Sequence, residues 1–478
     1  MRTVQGPVRE EARIADAVLC DGLSFCLDPW PGAGAVPFAD PPDQASALLK
    51  SLATKARPNR GRPVPKGVSV THSRLGESYD PLGGHLDDPY PVYEQARGSE
   101  PVFYSPRLRA WVVTRYDDVD LVLKDPATFS SVNSLRPVSD LHPTTLAELA
   151  AGYPDTPDHV TSDGDVHRRM RAPYAARLTA GAARRLEPVI RAHAATLVEA
   201  FIGDRRVELV SQFASPLPVE VIAVVFGIPA ADVPAVKAGT EGLFRLGTAG
   251  LTPEAEAQAA RQFLALQHLL AGYLRDRRTA HADDLISHVM AELAPGEQPL
   301  TADQEAELVT TLSGTIGAGH ITTTHTITTA VRLLLTQPEQ WTLLRQRPDL
   351  IPNAVEETLR FDAPVAAIFR RCTRTTTVGG TTISAGSDVL VVFASANRDE
   401  AHFPGADRFD ITRAPSRHFG FGAGPHTCVG APLARAEARA ALQVLTERLA
   451  HPRLVPDQTL RRQASVGLRG TQSLELEW

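Results

Sequence analysis

The chain has 478 residues, 43% of them hydrophobic and 22% charged, with a formal net charge of −6; this is the balance of a globular protein, not of a disordered or fibrous one. A negative net charge leaves no electrostatic footprint for nucleic acid, and no run approaches the roughly 20 apolar residues needed to span a bilayer. The four cysteines, Cys20, Cys26, Cys372 and Cys428, form no regular framework, which excludes a disulfide scaffold and points to a reducing compartment, the cytoplasm.

Residues 1–77 read as a flexible N-terminal extension. They hold a Pro/Gly cluster at Pro29–Gly32, a short helical pattern from Gln44 to Lys55 and a basic proline-rich run from Lys55 to Lys66, the composition of a linker, with a docking or targeting arm as the functional alternative. Residues 78–478 read as one domain. Pro89–Arg97 is helical, Val102–Tyr104 and Ala110–Arg115 alternate as a hairpin does, and Tyr116–Lys124 is helical again. Residues 127–161, rich in Pro, Ser and Asp, read as a long loop. His167 and Arg171 follow it one turn apart on a helix face, able to grip an anion together, a solvated basic face being the plain alternative.

Helical spacing then covers 183–203, 217–226, 230–246, 253–277 and 283–293. The break at Gly247–Thr252 suits a lid, which would turn Leu243 and Phe244 towards a substrate unless they are simply core. The pattern from Ala302 to Leu335 carries Gly314, Gly317, Gly319 and a run of threonines in its middle, residues that weaken a helix. Small residues let a ligand lie against the backbone there, and threonine hydroxyls can bond carbonyls back along the helix. His320 and His325 read as surface histidines. Glu357 and Arg360 are one turn apart, and after Pro364 the chain alternates as strands through Ile368–Thr373, Thr377–Ile383 and Val389–Ala394.

The most specific stretch is His418 to Pro432, which holds Phe421, Gly422, Gly424, His426, Cys428 and Gly430 and runs into the helical segment 433–449. Cys428 thus stands where a loop becomes a helix, facing free N–H groups and the positive end of the helix dipole, both of which favour thiolate. The glycines would let the main chain approach a flat cofactor. A buried small hydrophobe is the plain reading of a lone cysteine, and a zinc site lacks a second cysteine at short spacing. Residues 421–430 match Phe-Gly-x-Gly-x-His-x-Cys-x-Gly, and in this the chain resembles the cytochrome P450 family from about Asp80 to Trp478.

The resemblance implies a mainly α fold with a smaller β region, the cytochrome P450 fold, around haem b (iron protoporphyrin IX) with Cys428 on the metal. It implies that His167, Arg171, Arg370 and His426 neutralise the propionates, with Arg371 as the alternative to Arg370. Ala318, Gly319, Thr322 and Thr323 align with the oxygen-binding motif, Thr322 at the dioxygen-bonding position, but Ile321 stands where an acidic residue relays protons. Glu357 and Arg360 would form a buried lock with Arg408. Phe244, Ile316, Ala366, Ala367, Ile368 and Val466 would line the substrate pocket, with the segment around Val466 as the wall opposite 366–369.

The implied activity is insertion of one oxygen atom of O2 into a C–H bond of a small to medium hydrophobic or aromatic substrate, with electrons from an external ferredoxin and ferredoxin reductase. Arg168, Arg169, Arg177, Arg435 and Arg439 would give an acidic ferredoxin its docking patch, an ordinary solvated face being the alternative for each. Two rivals follow from the residues. Ile321 favours a peroxide-driven enzyme, and a catalytically silent haem-binding module would need no Thr322.

Overall fold

In the computed structural model residues 73–137 and 139–478 are described; the helical pattern Gln44–Lys55, the basic run after it, Cys20 and Cys26 lie outside them. The described chain opens with α1 (Arg74–Ser78), α2 (Tyr90–Ser99), the hairpin β1 (Val102–Ser105) and β2 (Ala110–Val113), α3 (Tyr116–Lys124) and the short β3 (Phe129–Ser130). Next come α4 (Pro143–Leu149), α5 (Gly164–Arg177), α6 (Ala180–Phe201), β4 (Arg206–Glu208), a π-helical turn Val210–Ala214, α7 (Pro216–Phe226), α8 (Val233–Arg245), α9 (Pro253–Thr279), α10 (Leu285–Leu293) and α11 (Ala302–Thr336). The remainder comprises α12 (Pro338–Gln346), α13 (Ile351–Phe361), β5 (Ala367–Cys372), β6 (Thr376–Val378), β7 (Thr381–Ile383), β8 (Asp388–Val392), α14 (Phe393–Ala396), α15 (Ala431–Arg448), β9 (Arg453–Leu454) and β10 (Glu475–Glu477). The stretch 127–161, expected as a loop, therefore contains β3 and α4.

The larger sheet has the order β1-β2-β8-β5-β3. Its β2 and β8 are parallel, Trp111 opposite Val389, and a parallel pair needs a crossover connection; here the crossover is most of the helical body. In β5, Arg370 lies opposite Val389 and Arg371 opposite Asp388, so strand alternation sends the two arginines to opposite faces. The sheet closes over two small apolar cores, while the helices share one large core through α6, α7, α9, α11 and α15.

The 35-residue α11 runs through that core. It starts on a capping box, in which the Thr301 hydroxyl accepts from the Gln304 N–H and the Gln304 side chain accepts from the Thr301 N–H. Its glycine and threonine middle stays helical without a break. Thr315, Thr322, Thr324, Thr326 and Thr328 each donate to the carbonyl four residues earlier, at 2.7–2.9 Å, as threonine hydroxyls can within a helix. Core packing on the opposite face supplies what intrinsic propensity lacks.

Candidate functional site

Two separate segments, α5 with its N-cap and β5, bring charge to the loop that carries Cys428. Asp163, at the N-cap of α5, does not cap its helix; its carboxylate accepts from the Ser130 hydroxyl, the Ser131 N–H and His426 Nε2. The His167 ring lies against His426 at 4.2 Å between centroids, tilted by 43°, and Arg171 donates to the Thr427 carbonyl at 2.5 Å. Arg370 comes from β5, is buried, and donates to the Ser134 hydroxyl at 3.0 Å and its own neighbour's carbonyl, Phe369 O, at 2.8 Å. Arg371 instead pairs with Asp388 at 2.7 Å.

The cluster is out of charge balance. Two guanidiniums and two imidazoles face the single carboxylate of Asp163. Burial lowers Arg370 to about 10, with Asp163 pulling the other way. Burial, with Arg370 and His167 adding to it, lowers His426 to about 4, and burial with Arg171 lowers His167. His167 Nε2 is buried without a hydrogen-bond partner among the described residues. Buried cations left this way are costly unless an anion joins them; a cofactor with two carboxylates fits the donors present.

Cys428 lies just ahead of α15, its N–H donating to the Phe421 carbonyl at 2.9 Å. Protein packed behind the exposed Cys428 pushes the thiol up, and the N–H groups of Gly430 and Ala431 and the charges of Arg171 and Arg435, which pull it down, do not offset this; in the protein alone the thiol is raised, against the expected preference for thiolate. Gly422 and Gly424 both have left-handed backbone, yet they do not share the role expected of them. A side chain at Gly424 would come within 2.2 Å of the Leu123 carbonyl, so this glycine seats the loop on α3 instead of clearing room for a cofactor.

Behind the loop, Arg435 lies over the Phe421 ring at 4.4 Å and pairs with Glu356 at 2.6 Å, which also meets His418 at 3.1 Å. Burial would raise Glu356, but Arg435 and His418 override it and hold the carboxyl down at about 2. All five arginines expected to form a free basic patch have carboxylate partners: Arg168 with Asp165, Arg169 with Glu307, Arg177 with Asp283, Arg435 with Glu356 and Arg439 with Glu187.

On α11 the accessible stripe is Gly314, Ala318 and Thr322, each four residues from the next, with Gly319 beside it. Thr323 is buried behind that face, and Ile316 is fully buried in the helical core on the far side; neither faces the cleft as expected. His320 and His325 are both buried, not on the surface. Ala366, Ala367 and Val466 pack into the core of the sheet lobe with Phe103 and Leu390, leaving Val365 and Ile368 as the partly exposed residues of that stretch. The segment around Val466 is not an opposite wall. Ala366 N–H donates to the Gly467 carbonyl at 2.8 Å and Val365 bridges Leu468, so the two segments run side by side. Phe244 and Leu243 reach α11 at Gly317.

The buried lock also has a different third member. Arg360 makes a two-pronged pair with Glu357, both contacts 2.7 Å, but it is Arg413 that joins Glu357, at 3.2 Å. Arg408 is exposed and lends only its carbonyl, to Arg360 at 3.0 Å and Arg413 at 3.1 Å. A second buried hub, legible in no motif, is Asp362, which meets Tyr90 at 2.9 Å, Arg332 at 2.6 Å and Arg469 at 2.8 Å. Among the described residues no helix is long and apolar enough to cross a membrane.

Residues 262–451 match the family model described as cytochrome P450. The chain is 38% identical over 375 residues to the mycinamicin IV hydroxylase/epoxidase of Micromonospora griseorubida, covering 77% of this chain and 89% of that protein. It superposes on the solved structure of cytochrome P450 CREJ in complex with (4-ethylphenyl) dihydrogen phosphate with a TM-score of 0.77 and 30% identity, over 84% of this chain and 100% of that one. On an intact type IV self-sufficient cytochrome P450 monooxygenase the TM-score is 0.79 at 32% identity, over 85% of this chain but only 53% of that longer one.

Proposed function

The chain belongs to the cytochrome P450 family of haem-thiolate monooxygenases, and on that premise we propose that it hydroxylates a small to medium hydrophobic or aromatic molecule, with electrons from a ferredoxin and ferredoxin reductase in the cytoplasm. The observation that supports the cofactor assignment is the uncompensated cation cluster beside Cys428. Cys428 would hold the iron of haem b, and His167, Arg171, Arg370 and His426 would take its two carboxylates. When bound, the haem supplies activation of dioxygen at iron, and thiolate ligation favours O–O cleavage.

The chain's own residues then have separate tasks. Burial of Arg370 on a strand, with its orientation set by Ser134, fixes one end of the cofactor cradle. The Thr322 hydroxyl donates to the Ala318 carbonyl at 2.7 Å, which leaves its oxygen lone pairs on the accessible stripe of α11 to accept a hydrogen bond and so hold a water or another donor there. Val365, Ile368, Leu243 and Phe244 give the cleft apolar walls that exclude water and favour hydrocarbon. The aromatic compound held by the similar CREJ structure supports an aromatic substrate, whereas the name of the Micromonospora enzyme supports a molecule like mycinamicin IV.

The decisive measurement is the absorption of the reduced protein under carbon monoxide. A red-shifted Soret band that disappears in Cys428→Ser is expected, and its absence from folded wild-type protein overturns the assignment. Titration of the ferric protein with (4-ethylphenyl) dihydrogen phosphate and with mycinamicin IV then separates the two substrate classes by which of them shifts the band. Each arginine of the expected ferredoxin patch pairs with an internal carboxylate, so a ferredoxin would have to dock against ion pairs instead of free cations. A second reading has its own observation: Ile321 is apolar and buried where a proton-relaying acid would stand. Turnover with hydrogen peroxide, and none with NADH, ferredoxin and reductase, would establish it.

A further inference from the structure

His320 lies in the centre of α11, fully buried, and is hydrogen-bonded at both ring nitrogens. Nδ1 is 2.7 Å from the Thr240 hydroxyl of α8, and Nε2 is 3.0 Å from the Ser215 hydroxyl, between the π-helical turn and α7. A neutral imidazole has one N–H and one lone pair, and a hydroxyl can meet either. The Thr240 hydroxyl also has the Lys237 carbonyl within reach at 2.9 Å, so it accepts from an Nδ1–H when its hydrogen points there and donates to Nδ1 when it does not. Nε2 takes the complementary role toward Ser215, accepting from its hydroxyl or donating to it. Burial, with Lys237 adding to it, holds the ring neutral by lowering it to about 3. Every polar atom of the trio is used.

The same two helices meet again beside this bond. Phe244 is one turn along α8 from Thr240, and Gly317 is one turn back along α11 from His320. A side chain at Gly317 would stand 3.0 Å from Phe244 Cε2 and 3.2 Å from Leu243 Cδ2. The α8–α11 contact thus has a polar rivet next to an apolar seat, and its outer end is pinned as well: Gln463 donates to the Phe244 carbonyl at 3.4 Å, and Ala249 N–H to the Ala464 carbonyl at 2.9 Å.

We propose that His320 is a positioning residue for substrate: by tying Thr240 and Ser215 to α11, its imidazole sets the depth at which Leu243 and Phe244 stand over Gly317, and so the size of molecule that the cleft grips. This rests on Phe244 being part of the substrate wall and on haem being bound. A hydroxyl removed from the trio leaves a buried imidazole nitrogen without its partner, and α8 relaxes away from α11.

The test compares two iron-binding probes on the holoprotein. Imidazole is small enough to bind without touching α8, while 4-phenylimidazole must fit its phenyl ring beneath Phe244. Thr240→Val, which keeps the shape and removes the hydroxyl, is expected to weaken 4-phenylimidazole roughly tenfold with imidazole unchanged, and Thr240→Ser to restore the wild-type value. Equal weakening of both probes, or no weakening of either, overturns the proposal. Lack of any imidazole shift in the wild type would instead sink the haem assignment. Should Thr240→Val fail to fold, deuterium exchange on the wild type decides: 4-phenylimidazole must slow exchange across 233–245 more than imidazole does, and equal exchange overturns the proposal.

Discussion

Two buried charge clusters flank the cysteine loop, and they are built on opposite plans. Around Glu357 the ledger is closed: its carboxylate takes both prongs of Arg360, the Arg413 side chain and the Asp410 N–H, and the remaining guanidinium hydrogens go to carbonyls of Asn397, Ala406 and Arg408. Around Arg370 it is open, with two arginines to one carboxylate, two histidines whose protonation is disfavoured, and a histidine nitrogen that has no partner among the described residues. A closed cluster braces the chain. An open one of this sign suits an anion from outside, which is why we propose the second cluster, and not the first, for the cofactor's carboxylates.

Breaking the closed cluster should cost most. Glu357→Ala strands Arg360 in the core, and breaking one side of a buried pair costs about 3–5 kcal/mol, to be read as a lower urea midpoint in the apoprotein and holoprotein alike. The open cluster should answer differently. Arg370→Met removes an uncompensated buried charge, so the apoprotein should come within about 1 kcal/mol of wild type or be more stable, while haem affinity falls by roughly 10- to 100-fold through loss of a charge-assisted hydrogen bond. An Arg370→Met apoprotein as unstable as Glu357→Ala would erase the distinction.

How far each cluster could be read in advance follows from how local its signals are. The span of α11 was legible to within a residue of its end because its cap and its apolar spacing are both local. Cys428, His426 and the pair His167 and Arg171 were legible through the resemblance, whose motifs are contiguous. Asp163 was not, since a helix-capping aspartate looks the same whether it caps its helix or turns to Ser130 and His426. Ala366 and Ala367 were misplaced because the strand begins only at Ala367 and the preceding residues bond to Gly467, a partner 101 positions away whose neighbours gave no sign of it. His320 was misjudged for the same reason: the residues that enclose it, Ser215 and Thr240, are remote in sequence.

Those histidines give a pH test outside both clusters. Burial lowers His320 to about 3 and, with Arg462 adding to it, His325 to about 4, against an unfolded value near 6.5. Between the folded and unfolded values the unfolded chain binds more protons, so stability is full above about pH 6.5 and falls as pH drops. Each histidine should contribute up to about 1.4 kcal/mol per pH unit. Urea midpoints of His325→Gln measured from pH 7 to pH 5 should fall less steeply than those of the wild type, and an unchanged slope would show that the ring is not held neutral.

The smallest effect is the sharpest test of the closed cluster's membership. Arg408 and Arg413 lie five residues apart and both touch the lock, but by different atoms. The Arg413 side chain reaches Glu357 and the carbonyls of Pro404, Gly405 and Arg408, so Arg413→Ala should cost roughly 2–3 kcal/mol. Arg408 contributes only a backbone carbonyl, which alanine supplies equally well, and its exposed side chain leaves Arg408→Ala within about 0.5 kcal/mol of wild type. The same pair of substitutions made in Glu357→Gln should show why: the cost of Arg413→Ala shrinks once the carboxylate it serves is gone, since coupled residues are non-additive, while Arg408→Ala stays where it was. A large effect of Arg408→Ala would mean that its guanidinium, and not its main chain, closes the lock.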